Sequence, residues 1–132
     1  MKVFVDTSAI LAVFDAADAA HGEASSVWRR LIEAADELVT TNYVVVEAVA
    51  LLHRRFGAEA VRRLADDLLP ALSVHFVDSG VHQAALSAVT AGSGKSGPSL
   101  VDCVSFEVIR SLKADVVFAF DKHFRSRGYA PA

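Results

Sequence analysis

Apolar sequence in this chain keeps running into single carboxylates. Asp6 closes MKVFVD, Glu47 interrupts NYVVVEAVALL, Asp102 stands inside PSLVDCVSF, and Asp121 follows VVFAF. A bare carboxylate in such surroundings must be solvated, neutralised or matched by a cation, because burying an isolated charge is very costly. Four of them, spread over most of the chain, constrain the fold: they suggest that distant segments come together around one acidic pocket. A pocket of oxygen donors without His or Cys ligands suits a hard divalent cation such as Mg²⁺ or Mn²⁺.

The segments between these acids alternate in type. Residues 2–5 read as a short buried strand rich in Val and Phe, ended by Asp6-Thr7-Ser8, which can cap a helix over 8–15. A longer helix over 21–36 is anchored by Trp28, Leu31 and Ile32. Leu38 to Thr41 is a second strand, and Asn42 is placed to cap an apolar helix from Tyr43 to Phe56 that Gly57 ends. Ala58 to Leu69 is amphipathic, with Val61, Leu64, Ala65 and Leu68 on one face. Ser73 to Val77 is a third strand, and a helix runs from about 80 to 90. The Gly- and Ser-rich stretch 92–98 reads as a loop. A helix over 99–113 and a fourth strand over 115–120 complete the pattern. Strands of this length alternating with helices predict an α/β fold: a doubly wound three-layer sandwich around a parallel sheet of four to five strands. Its crevice lies at the carboxyl ends of the strands, with strand three at an edge.

That topology lets the four acids converge. Asp6 and Asp121 end strands one and four, Glu47 lies just over a turn into the helix after strand two, and Asp102 opens the helix leading to strand four. Each also has an ordinary structural role open to it. Asp6 and Asp121 can be helix caps, Asp102 fits a Ser99-x-x-Asp102 capping box, and Glu47 can pair with an arginine or be solvated. Caps, however, have no reason to share one crevice.

The remaining features set limits. The 132 residues amount to a single domain, 1–132, with 53% hydrophobic and 22% charged residues, the balance of a globular protein. A net charge of −3 gives no global basic field, so a nucleic-acid substrate has to be held by local groups such as Arg54, Lys122 and Arg125, or through a metal. The single cysteine, Cys103, excludes an internal disulfide and a cysteine-based zinc site, which favours a reducing compartment. The start MKVFVDTSA shows no secretory leader, and no apolar run reaches membrane-spanning length, so the expected address is the cytoplasm. Gly94-Lys95-Ser96 matches only the end of a phosphate-binding P-loop and reads as a solvated loop. Asp78-Ser79 reads as a helix cap.

Four motifs in order, Asp-Thr-Ser-Ala-Ile from Asp6, Thr-Asn-x-x-x-x-Glu to Glu47, Ser-Leu-Val-Asp-Cys-Val-Ser-Phe around Asp102 and Ala-Phe-Asp-Lys-His-Phe around Asp121, resemble the PIN domain. Within it they resemble the VapC-type toxins of bacterial toxin–antitoxin pairs. The resemblance spans essentially the whole chain and implies a metal-dependent endoribonuclease. It implies that Asp6, Glu47, Asp102 and Asp121 form the catalytic quartet, with Asp6, Asp102 and Asp121 on Mg²⁺ or Mn²⁺. Ser8 matches a hydroxyl beside the first Asp, and Asn42 a polar residue next to the site. One position departs from the pattern: Ala119 stands where many relatives have Thr. Ser105 occupies a place that is often polar or acidic in relatives. The resemblance further implies an RNA substrate cut by water activated on the metal, a cognate VapB-type antitoxin and a homodimer. The apolar faces of 43–52 and 61–69 offer themselves as a partner groove. Two alternatives stay open: a PIN-fold binding module without catalysis, and a phosphate-handling hydrolase of the haloacid-dehalogenase type. The latter wants a second Asp where Ser8 stands.

Overall fold

In β1 (Lys2–Val5), Val3, Phe4 and Val5 are all buried. Successive residues of a strand point to opposite faces, so an unbroken buried run means that both faces of the sheet are covered. The computed structural model, which describes residues 1–132, places β1 inside a sheet of four parallel strands. β2 (Glu37–Thr41) lies on one side of it and β4 (Val116–Phe118) on the other, and β3 (Ser73–His75) forms the edge beyond β2. The order is therefore β3-β2-β1-β4, the α/β arrangement expected, with strand three at the edge as expected. A parallel bridge between Val117 and Pro131 lets the C-terminal tail cover the outer side of β4. The chain steps from β1 to β2 in one direction and arrives at β4 from the other. The topological switch point, where open parallel sheets leave a crevice, falls between β1 and β4.

Seven helices flank the sheet: α1 (Thr7–Phe14), α2 (His21–Glu33), α3 (Asn42–Phe56), α4 (Ala58–Arg63), α5 (Ser79–Ala91), α6 (Leu100–Leu112) and α7 (Lys122–Ser126). Most begin where a side chain can accept from a free first-turn N–H: Asp6 for α1, Asp78 for α5, Ser99 for α6 and Asp121 for α7. One core of 25 buried apolar residues joins sheet and helices, including Phe4, Ile10, Leu31, Leu52, Leu64 and Val108.

Several expectations need correction. α3 is capped by Thr41, whose hydroxyl accepts from the Val44 N–H at 3.1 Å; Asn42 is instead the first helical residue. Its side chain accepts from the Val77 N–H at 2.9 Å and so pins the exit of β3. α2 stops at Glu33, because Ala35 turns to φ +55 and the Ala35 and Asp36 N–H groups close the helix end onto Ile32 and Leu31. Ile32 consequently points outward, 45% exposed, while Leu31 is buried. The expected helix 58–69 is α only to Arg63. A π turn over Leu64–Leu68 and a 3-10 turn over Leu69–Ala71 follow. Pro70 supplies the reason, since it has no N–H and its ring clashes with the carbonyl four residues back. The wider turn still buries Leu64 and Leu68, while Ala65 is exposed. Gly57 ends α3 at φ +85, a conformation that a side chain would strain.

Candidate active site

Asp6 stands at the switch point. Its backbone N–H donates to the Phe118 carbonyl at 3.0 Å, which carries the β1–β4 ladder one residue past β1. Its side chain turns to cap α1: Oδ2 accepts from the Ser8 N–H at 3.1 Å and from the Ser8 hydroxyl at 2.7 Å. The same hydroxyl accepts from the Phe120 N–H at 2.9 Å, so Ser8 ties the two strand ends together beneath the carboxylate. Asp6 is only 3% exposed. Burial lifts its carboxyl from the usual 3.8 to about 6; the Ser8 hydrogen bonds hold it down, and repulsion from the Asp102 carboxylate adds to the rise.

Asp102 comes from the first turn of α6. The capping box is real: Ser99 Oγ accepts from the Asp102 N–H at 3.2 Å, and Asp102 Oδ2 accepts from the Ser99 N–H at 2.9 Å. It is 8% exposed and near enough to Asp6 to raise its carboxyl. One turn on, Ser105 is fully buried and its hydroxyl has no protein partner, a condition shared by the Thr7 hydroxyl next to Asp6. Asp121 follows β4 and caps α7, with Oδ1 accepting from the His123 N–H at 2.8 Å.

Glu47 is partly buried on α3 and makes no hydrogen bond or ion pair, so the arginine-paired alternative does not hold. It lines a shallow cavity of about 280 Å³ with Asn42, Tyr43 and Val101, the last adjacent to Asp102. Arg54 lies exposed two turns further along α3 with no partner, and Lys122 is exposed beside Asp121.

The acids thus gather in part. Asp6 and Asp102 form an electrostatic pair, the backbone just before Asp121 is tied to the Asp6 cap through the Ser8–Phe120 bond, and Glu47 lines a cavity with Val101, the residue before Asp102. No three His, Cys, Asp or Glu close into a ready-made cage. The donor set nonetheless fits a hard divalent ion. Each aspartate commits one oxygen to a helix cap and leaves the other without a protein partner: Oδ1 in Asp6 and Asp102, Oδ2 in Asp121. Capping and ligation are therefore compatible in one side chain. An open site of one or two carboxylates suits an ion that keeps much of its water shell, as Mg²⁺ does. Sequence reasoning did not single out Glu23 or Tyr129, which border Asp121 in a separate cavity. Both reach it through the packing of α2 and the tail on β4, for which no local motif exists.

A doubly wound parallel sheet carrying carboxylates at the ends of its first and last strands is a setting for metal-assisted phosphate chemistry, and the chain belongs to the PIN domain family, whose model matches residues 3–128. Its relatives include the 23S rRNA-specific endonuclease VapC20 of Mycobacterium tuberculosis, from strains CDC 1551 / Oshkosh and ATCC 25618 / H37Rv. Each is 32% identical over 128 residues, covering 96% of this chain and 95% of that protein. The crystal structure of M. tuberculosis VapC20, a sarcin–ricin loop cleaving toxin, superposes with a TM-score of 0.82. The match is 32% identical and covers 98% of each chain.

Proposed function

We propose that the chain is a divalent-metal-dependent endoribonuclease acting as the toxin of a toxin–antitoxin pair, with residues 1–132 working as one nuclease domain. The observation that carries this reading is the pair Asp6–Asp102, two buried acids close enough to repel each other, each with one oxygen free of protein partners, in a PIN domain homologous to VapC20. PIN-domain nucleases are generally divalent-metal dependent.

In this reading Asp6, Asp102 and Asp121 hold the ion through their free oxygens, Mg²⁺ or Mn²⁺ being the hard cations that such a donor set prefers. The ion supplies charge neutralisation at the phosphate and acidifies water at neutral pH. Ser8 fixes the Asp6 carboxylate by donating its hydroxyl to Oδ2, which leaves Oδ1 without a protein partner. Glu47, free of other partners, orients the attacking water and takes up its proton. Asn42 holds the β3 exit against α3, and Ser105 offers a hydroxyl beside Asp102. Lys122, Arg125 and Arg54 supply cationic points for the RNA backbone, which the net charge of −3 makes necessary.

The partners are an RNA substrate, a cognate VapB-type antitoxin and a second copy of the chain. Val46, 68% exposed on α3, and the apolar rim of the Glu47 cavity favour a protein partner there. No helix is long and apolar enough to cross a membrane, and a toxin acting on RNA works in the cytoplasm. The test is cleavage-end mapping on total cellular RNA with Mg²⁺ or Mn²⁺, with Asp6→Asn as control. Discrete cuts that vanish with EDTA and in the variant support the reading. Undiminished cutting by Asp6→Asn sinks it.

A further inference from the structure

Beside Asp121, on the outer flank of β4, lies a cavity of about 230 Å³. Its walls include Phe120 and Phe124 after β4, Tyr129 from the tail, Arg125 from α7 and Glu23 from the first turn of α2. The volume is several times the roughly 30 Å³ of a liquid water and falls just short of the range for drug-sized ligands, about 300 Å³ upward. One heteroaromatic ring system suits such a space.

The lining matches a nucleobase in kind. Phe124 is buried and packs against Tyr129 with ring centroids 6.2 Å apart, which gives a rigid aromatic wall. The Tyr129 hydroxyl makes no hydrogen bond within the protein, and burial raises its phenol above the usual value. Arg125 and Glu23 are exposed and form no ion pair with each other or with any neighbour. Single-stranded RNA is read by splaying a base onto aromatic rings and bonding its Watson–Crick edge. A carboxylate is acceptor-only. Among the four RNA bases, guanine alone offers two adjacent donors on that edge, N1–H and the N2 amino group.

We propose that this cavity is a base-reading subsite that seats one unstacked guanine of the RNA next to the cut, with Tyr129 against the ring, Glu23 accepting from its Watson–Crick edge and Arg125 on the flanking phosphate. The inference deepens the nuclease reading and rests on it for the identity of the strand. Asp121 links the two sites, since it lines this cavity and belongs to the acidic set.

The experiment is a titration of the whole chain in EDTA with 5′-GMP, AMP, CMP and UMP, followed by amide chemical shifts. GMP should bind most tightly. Glu23→Gln, at an exposed position, should leave the fold intact and cut the GMP preference about tenfold, the scale of one base-edge contact. Tyr129→Ala should weaken all four nucleotides together. In RNA end mapping, guanosine should occupy a fixed place beside the cut, and Glu23→Gln should relax that preference. Equal binding of the four nucleotides by the wild type, no binding of any, or an unchanged preference in Glu23→Gln overturns the subsite. The titration needs no catalysis, so GMP selectivity in a chain unable to cut RNA would overturn the nuclease reading and leave the pocket standing.

Discussion

The Ser8 hydroxyl accepts from the Phe120 backbone N–H at 2.9 Å while donating to Asp6 Oδ2 at 2.7 Å, so one side chain joins the ends of β1 and β4 and orients the most buried acid. Ser8→Ala removes the acceptor of a part-buried N–H and one donor to the carboxylate. It should cost about 1–2 kcal/mol in urea denaturation. Cleavage should fall about 10–100-fold, the usual effect of removing a group that orients a metal ligand. A variant as active as wild type would show that this orientation is irrelevant to the reaction.

Asp6 gives the protein a pH dependence whose sign follows from its raised carboxyl. The native state binds this proton more tightly than the unfolded chain does, because its carboxyl sits at about 6 against the usual 3.8. The associated stability is fully present below about pH 4 and is lost as pH rises through about 6. At one pH unit per 1.36 kcal/mol, this amounts to about 3 kcal/mol at most. Asp6→Asn keeps a cap acceptor and carries no charge. In EDTA the variant should match wild type near pH 4 and exceed it in stability at pH 8. A difference independent of pH would remove burial of Asp6 as the cause.

Divalent ions should reverse that penalty. At ten times its dissociation constant a ligand specific for the folded state adds about 1.4 kcal/mol. Mg²⁺ or Mn²⁺ should therefore raise the melting temperature of wild type at pH 8, less at pH 5, and not at all in Asp6→Asn. An equal rise in wild type and variant would point to ion binding elsewhere.

Asp102 separates capping from ligation. Asp102→Asn retains an acceptor for the Ser99 N–H, whereas Asp102→Ala loses the reciprocal bond and should cost about 1 kcal/mol more. Both should abolish cleavage, because neither provides a charged oxygen. If activity instead follows stability, with Asp102→Asn near wild type, Asp102 is a cap alone.

How much of this was readable beforehand depended on whether the cause was local. The strand at residues 2–5, the caps by Asp6, Asp78 and Ser99, and the edge position of the third strand in a parallel sheet follow from apolar runs, capping residues and the rules of parallel sheets. Choosing capping or ligation for each aspartate could not be done from sequence, because the two roles use different oxygens of one carboxylate. The Asn42 bond to Val77, the outward turn of Ile32 and the cavity that Glu23 and Tyr129 share each depend on elements far apart in the chain. The break in the helix after Arg63 had a local cause in Pro70, which amphipathic periodicity obscured.

Glu47 offers the sharpest separation of stability from chemistry. It sits partly buried in α3 with no hydrogen bond or ion pair, in a cavity whose other walls include Val101, the residue before Asp102. Glu47→Gln changes its shape little and strands no partner, so unfolding free energy should move by less than about 0.5 kcal/mol. A carboxylate that takes a proton from water is typically worth about 100-fold or more in rate. Single-turnover cleavage in Mg²⁺ should fall by at least that factor, with RNA binding unchanged. A fall in binding without a fall in the single-turnover rate would recast Glu47 as part of the substrate surface and leave Asp6, Asp102 and Asp121 to act without a base.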